Sequence, residues 1–417
     1  MLTGLLAESH VTPFEGLPSR VAHHAAAAGF HDVVIYLGDL RREVLRPVVG
    51  DGLDAAADAP EGGADLSIEG TVAGHAYQHG RIVSAPGSAD GPQGWWVPLL
   101  DGTERLGVLH VTTAEAGKDA HQDMLALASL VAVLVVGSRD ISDSYARLTR
   151  TQPMNVAAEM QWTLMPPRTY ADHRVVISAV MEPAYEVSGD AYDYATSTGT
   201  VHLSIFDSMG HDTSAGLTAN LAMGACRNHR RQGTGLEHLG DAVERVLLEQ
   251  FGPSRFVTGI LADLDTTTGM LTWTNHGHPP PVVIRGGRWT TLLRCPPAHP
   301  MGTDLGLPTE PCREPLQPGD RLVLYTDGIT EARTSGGEEF GLIRFIDLLI
   351  RYHADGLSVP ETLRRLIRAH LRHHGDQLQD DATILLCEWL GPHADFVTGA
   401  APLAGVPDLT VGGVRAG

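Results

Sequence analysis

The sequence predicts an α+β protein of two or three domains, and three observations carry that expectation. The chain has 417 residues, more than one hydrophobic core usually organises. Short runs rich in Val, Ile and Leu recur and are stopped by Gly or Asp-Gly, as buried strands closed by turns are. A helical stretch from about His121 to Leu148 separates two groups of such runs.

In the first group, Val33-Val34-Ile35-Tyr36-Leu37 is ended by Gly38, and Arg81-Ile82-Val83 is a weaker strand. Trp96-Val97-Pro98-Leu99-Leu100 and Leu106-Gly107-Val108-Leu109-His110-Val111 flank Asp101-Gly102, a hairpin signal because both turn residues tolerate positive φ. Ser67-Ile68-Glu69-Gly70-Thr71-Val72-Ala73-Gly74 and this hairpin resemble the corresponding segments of GAF sensor domains. The resemblance implies a GAF-like sensor over residues 1–137, with an unidentified small ligand. His75, His79 and His110 are isolated and read as structural rather than as haem ligands.

Residues 138–170 read as a helical linker, interrupted at Pro153 and stopped by Pro166-Pro167. Such a helix either packs against its twin in a homodimer or folds onto its own domain. A second domain is expected over 171–390, and the Gly-, Pro- and Ala-rich residues 391–417 are expected to form a disordered tail.

Composition bounds the function classes. Hydrophobic residues make up 43% and charged residues 19%, which suits packed cores. A net charge of -20 argues against nucleic-acid binding and against docking on an anionic membrane. The longest apolar run, Leu125 to Val136, is short of the roughly 20 residues of a membrane span and reads as a buried helix. The N-terminus lacks the pattern of a signal peptide. Cys226, Cys295, Cys312 and Cys387 form no C-x-x-C pair and no disulfide framework, so a reducing cytoplasm is expected.

The chemistry lies in the second half, where four apolar runs begin or end at aspartate. They meet Asp190, Asp207, Asp327 and the pair Asp380-Asp381. Any one of these, Asp327-Gly328 above all, is an ordinary turn residue by itself. Together they suggest carboxylates clustered at buried strand ends. Such groups repel each other and resist ionisation unless a hard divalent cation compensates them.

The wording and order of the motifs resemble SpoIIE/RsbU-type phosphatases of the type 2C class. Ala184-Tyr185-Glu186-Val187-Ser188-Gly189-Asp190 with Tyr192-Asp193, Asp207-Ser208-Met209-Gly210-His211, Thr258 to Asp265, Asn275-His276-Gly277-His278-Pro279-Pro280-Pro281, Leu324 to Ala332 and Asp380-Asp381-Ala382-Thr383 follow in sequence. Gln161-Trp162-Thr163-Leu164-Met165-Pro166 resembles the helix that leads into these domains. The resemblance implies a β-sandwich flanked by helices with two Mn²⁺ or Mg²⁺ ions at one end. Asp207 would bridge the metals and the Ser208 carbonyl would also ligate. Asp327 and Asp380 would hold one ion, with Asp381 as the nearby alternative to Asp380, and Asp190 would hold the other. The ions would activate water for in-line attack on a phosphoserine or phosphothreonine protein. His211 is either a proton donor to the leaving oxygen or a loop support. His278 reads as part of a fixed turn.

Three positions depart from the family pattern: Asp212 and Ser188 replace glycines, and His276 replaces a small residue. Asp212 is expected to add a carboxylate beside the metal loop and to restrict its backbone. His370, His373, His374 and Asp376 lie near the end of a helix beginning around Pro360 and read as surface residues rather than a Zn²⁺ site. The function implied is a cytoplasmic, sensor-gated phosphatase, its substrate by analogy a phosphorylated anti-sigma-factor antagonist of a partner-switching pathway. The alternatives are a phosphatase-fold scaffold without activity and a nucleotidyl cyclase. The latter leaves Asp327 and Asp380 unexplained.

Overall fold

The computed structural model describes residues 1–49, 64–85, 92–114, 117–210, 212–333, 337–373 and 380–392. The chain divides into two compact units, the first ending at Pro153 and the second beginning at Met154.

The first unit contains α1 (Leu2–Ser9), α2 (Leu17–Ala26), β1 (His31–Gly38), β2 (Val44–Pro47), β3 (Leu66–Ser67), α3 (Val72–His79), β4 (Val83–Ser84), β5 (Gln93–Asp101), β6 (Glu104–Thr113), α4 (Lys118–Arg139) and α5 (Asp143–Thr149). Its sheet has the order β3-β2-β1-β6-β5-β4, and every pair is antiparallel. The hairpin turns about Asp101–Gly102, with Asp101 paired to Glu104. By length and composition α4 could cross a membrane. In this fold its stripe of Met124, Leu127, Ala128, Val131 and Val135 is buried in the unit's core. The stretch expected to be continuous to Leu148 breaks at Ser142, whose hydroxyl accepts from the Tyr145 amide at 3.1 Å and starts α5.

The second unit begins with α6 (Val156–Leu164), β7 (Thr169–Ala171), β8 (Val175–Glu182), β9 (Asp190–Ser197), β10 (Thr200–Ser208), α7 (Thr213–Arg231) and α8 (Leu236–Phe251). It continues through β11 (Val257–Asp265), β12 (Met270–His276), β13 (Val282–Arg285), β14 (Trp289–Leu292), β15 (Cys312–Pro315) and β16 (Asp320–Tyr325). It ends with α9 (Asp327–Thr330), α10 (Leu342–Ala354), α11 (Val359–His373) and β17 (Ala382–Trp389).

Two sheets result, ordered β15-β12-β11-β10-β9 and β14-β13-β16-β17-β8-β7. Ile177, Ala179, Leu324 and Leu385 from one sheet share a core with Leu203, Ile205 and Leu261 from the other. Burial of both faces explains why these strands read as near-continuous apolar runs rather than alternating ones. Helices α7 and α8 cover β9 to β12, and α11 covers β8 and β17. The second unit is thus two packed sheets flanked by helices, and the chain is α+β as the sequence predicted.

Two sequence-based expectations need correction. Cys295 and Cys312 form a disulfide, whereas Cys226 and Cys387 are buried free thiols. The spacing of 17 residues carried no signal, because β12 and β15 become neighbours only through the sheet. His370 is not a surface residue: it is 1% exposed and packs edge-on against Phe340. His374, Asp376 and the tail from residue 393 lie outside the described residues.

Candidate active site

The strand ends carry the aspartates to one end of both sheets. Asp190 opens β9 and lies opposite Asp207, near the end of β10. Asp327 follows β16 at the start of α9, and Asp380 and Asp381 immediately precede β17. Strands β16 and β17 are paired, Tyr325 facing Ile384, so these last three residues share one corner.

The carboxylates act on each other. Burial pushes Asp207 up to about 7, and Asp327, Asp380 and Asp381 push it the same way. Asp190 is raised well above the ordinary carboxylate range by burial and by Asp207 and Asp381, while the hydroxyls of Thr326 and Thr383 oppose the shift. Asp327 is raised by burial, by Asp380 and by Glu331. The donor set is therefore all oxygen and electrostatically frustrated, which suits a hard divalent ion. Among the described residues no three His, Cys, Asp or Glu side chains converge as a ready-made cage.

Hydrogen bonds stitch the two sheets together at this end. The Gly189 amide donates to the Asp381 carboxylate, and the Thr326 hydroxyl lies 2.7 Å from Asp190 Oδ2. The Ser208 amide donates to the Gly189 carbonyl at 3.0 Å, and the Ser208 hydroxyl to the Ala215 carbonyl at 2.8 Å. His278 is fully buried, with Nδ1 2.8 Å from the Thr258 hydroxyl and Nε2 3.1 Å from the Tyr325 carbonyl. It ties β11 to the strand end that presents Thr326 and Asp327. His211 lies outside the described residues.

The departures from the family pattern are accommodated locally. Asp212 caps α7, its carboxylate accepting from the Ala215 amide at 2.8 Å, and its φ of -94° needs no glycine. The carboxylate beside the loop thus also caps the helix. The Ser188 hydroxyl accepts from the Asp190 amide at 3.0 Å. His276 fits because its neighbour on α8 is Gly240, where a Cβ would stand 2.2 Å from the imidazole.

One residue carried no functional assignment in the sequence. Gln161 on α6 is completely buried, and its Nε2 donates to the carbonyls of Ser188 and Asp190 at 2.9 and 2.8 Å. Its Oε1 accepts from the Ser188 amide at 3.0 Å. With Glu159 and Thr163 on the same helix, a polar residue at this position gave little signal by itself. A cavity of about 690 Å³ lies elsewhere, lined by Asp241, Glu244, Arg245, Leu248, His299 and Leu307 among others, and none of the candidate aspartates lines it.

Residues 197–390, from the end of β9 to just past β17, match the family described as Stage II sporulation protein E. Most of the second unit thus matches the SpoIIE family. The same region also has curated relatives. Phosphoserine phosphatase RsbU of Bacillus subtilis is 25% identical over 235 residues, covering 56% of this chain and 69% of RsbU. Protein IcfG of Synechocystis sp. is 26% identical, covering 50% of this chain and 37% of IcfG. Among solved structures, the SiaA-PP2C domain of Pseudomonas aeruginosa is 21% identical with a TM-score of 0.48, covering 56% of this chain and 94% of that one.

Proposed function

We propose that the chain is a divalent-metal-dependent protein phosphatase that removes phosphate from phosphoserine or phosphothreonine. The observation that carries this reading is the gathering of Asp190, Asp207, Asp327, Asp380 and Asp381 at one end of two sheets, with Asp207 raised to about 7 by burial and by its neighbours. Asp207, Asp327, Asp380 and Asp190 would hold two Mn²⁺ or Mg²⁺ ions, with the Ser208 carbonyl and Asp381 beside them. Bound ions would supply charge neutralisation at the phosphoryl group and an activated water.

The chain's own part is to hold the carboxylates in place. Gln161 and Ser188 fix the backbone at Asp190, and Thr326 holds its side chain. The Gly189 amide holds Asp381. His278 pins the end of β16 beside Asp327. His211 is the candidate proton donor to the leaving oxygen, with support of its loop as its alternative role.

The match to a phosphoserine phosphatase supports a phosphoprotein substrate, and an anti-sigma-factor antagonist of a partner-switching pathway is the substrate we favour. The first unit, with its antiparallel sheet and α3 packed beside it, is proposed as a GAF-like sensor gating the enzyme. Its ligand, cytoplasmic location and homodimerisation through α6 are part of the same reading.

The test is hydrolysis of p-nitrophenyl phosphate with Mn²⁺, beside Asp207→Ala and an EDTA control. Turnover that requires metal and vanishes in the variant is expected. A folded wild-type chain inert with both Mn²⁺ and Mg²⁺ would move the assignment to a scaffold.

A further inference from the structure

With Asp190 ionised, as a cation-holding carboxylate is, the direction of the hydrogen bonds at Thr326 follows by elimination. The Thr383 amide lies 3.0 Å from Thr326 Oγ1, and a backbone N–H can only donate. The hydroxyl therefore accepts from Thr383, and its single proton is left for Asp190 Oδ2 at 2.7 Å. The Thr326 amide in turn donates to the Thr383 carbonyl at 3.0 Å, so the threonine backbone cannot turn away. Thr326 is 0% and Asp190 2% exposed, so no solvent competes for either group.

The bond also joins different sheets. Asp190 belongs to β9, whereas Thr326 follows β16 and is bonded at the start of β17. Thr326 is adjacent in sequence to Asp327, and Thr383 is two residues from Asp381. One hydroxyl thus registers Asp190 against both acidic segments of the opposite sheet.

We propose that Thr326 is a positioning residue for the metal-dependent reaction: its hydroxyl, donating to Oδ2 of Asp190, leaves Oδ1 as the oxygen presented to a divalent cation. The proposal rests on the phosphatase reading and assigns a role to a residue that is not itself a ligand. Hydrogen-bond partners of ligating carboxylates fix their orientation, and their loss typically costs about 10- to 100-fold in metal affinity.

The test compares wild type, Thr326→Val and Thr326→Ser. Mn²⁺ affinity is read by calorimetry and by the metal-induced rise in melting temperature, neither of which needs turnover. The Mn²⁺ activation constant and KM for p-nitrophenyl phosphate are measured alongside. Removing the donor in Thr326→Val is expected to weaken Mn²⁺ binding by about tenfold or more, with KM little changed. Thr326→Ser keeps the donor and is expected within about threefold of wild type. If Thr326→Val does not fold, Thr326→Ala is read in its place. Unchanged Mn²⁺ affinity in the donor-less variant, or a serine variant as weak as valine, overturns the positioning role alone. A wild-type chain that binds no Mn²⁺ or Mg²⁺ overturns the phosphatase reading and this role together.

Discussion

The amide of Gln161 donates to the carbonyl of Asp190 at 2.8 Å across 29 residues of sequence, both residues being buried. Gln161→Leu would leave two carbonyls and one amide of the 188–190 segment unpaired. Each unsatisfied buried group costs about 1–3 kcal/mol, so a loss of about 3 kcal/mol or more is expected in urea unfolding. Mn²⁺-dependent turnover should fall with it. A variant as stable as wild type would show that the segment holds itself.

Gly328 is required by a close approach. A Cβ there would stand 1.9 Å from the Asp381 carbonyl oxygen. Gly328→Ala must displace the backbone between Asp380 and Asp381. Misplacing a site by about 1 Å can cost about 100-fold in rate. The expected outcome is a folded protein by circular dichroism with turnover lowered on that scale, and activity near wild type would count against the proposed ligand set.

Burial pushes His278 down to about 3, and the nearby His276 is pushed down to about 4 by burial. Both are neutral in the folded state and protonate earlier, near 6.5, when unfolded. Their contribution is thus complete above about 6.5 and is lost as pH falls toward 3 to 4. Each adds a slope of up to about 1.4 kcal/mol per pH unit in that window. Denaturant melts between pH 7 and 4 should show the decline, less steeply in His278→Asn.

The Cys295–Cys312 bond closes a separation of 17 residues, while Cys226 and Cys387 remain as thiols. Thiol titration of the denatured chain should therefore find two groups without reductant and four with it. Constraining a loop of this size is worth about 3 kcal/mol in the chain-entropy account, so Cys312→Ser should lower stability by up to that amount. Four thiols in the unreduced protein would refute the link.

Much of the fold was legible because its strands are apolar on both faces and end at turn residues. The runs at 33–37, 175–180 and 321–325 lie within β1, β8 and β16. The aspartates could be named for the same reason, since each marks the end or start of a strand. Their placement at one end of both sheets could not, because it depends on which strands pair. Asp190 faces Asp207 through a hairpin, but Asp327 and Asp381 reach them only from the second sheet. Gln161, Thr326 and the disulfide were missed for a related reason. Gln161 and the cysteines find partners 17 to 29 residues away, and Thr326 finds Asp190 across 136 residues, at separations no periodicity encodes. The capping role of Asp212 was not legible, because a cap and a loop carboxylate look alike until the helix start is known.

The strand order of the second sheet has a consequence for synthesis. β17 is inserted between β8 and β16, with Trp389 beside Val175 and Asp320. A nascent chain therefore carries β8 unpaired on that edge until β17, which begins at Ala382, has been made. Two hydrophobic edges wait for one late strand, and such long-range pairing is slow to form. The same strand brings Asp380 and Asp381 into place, so a chain released early would lack its sheet centre and its acidic corner together.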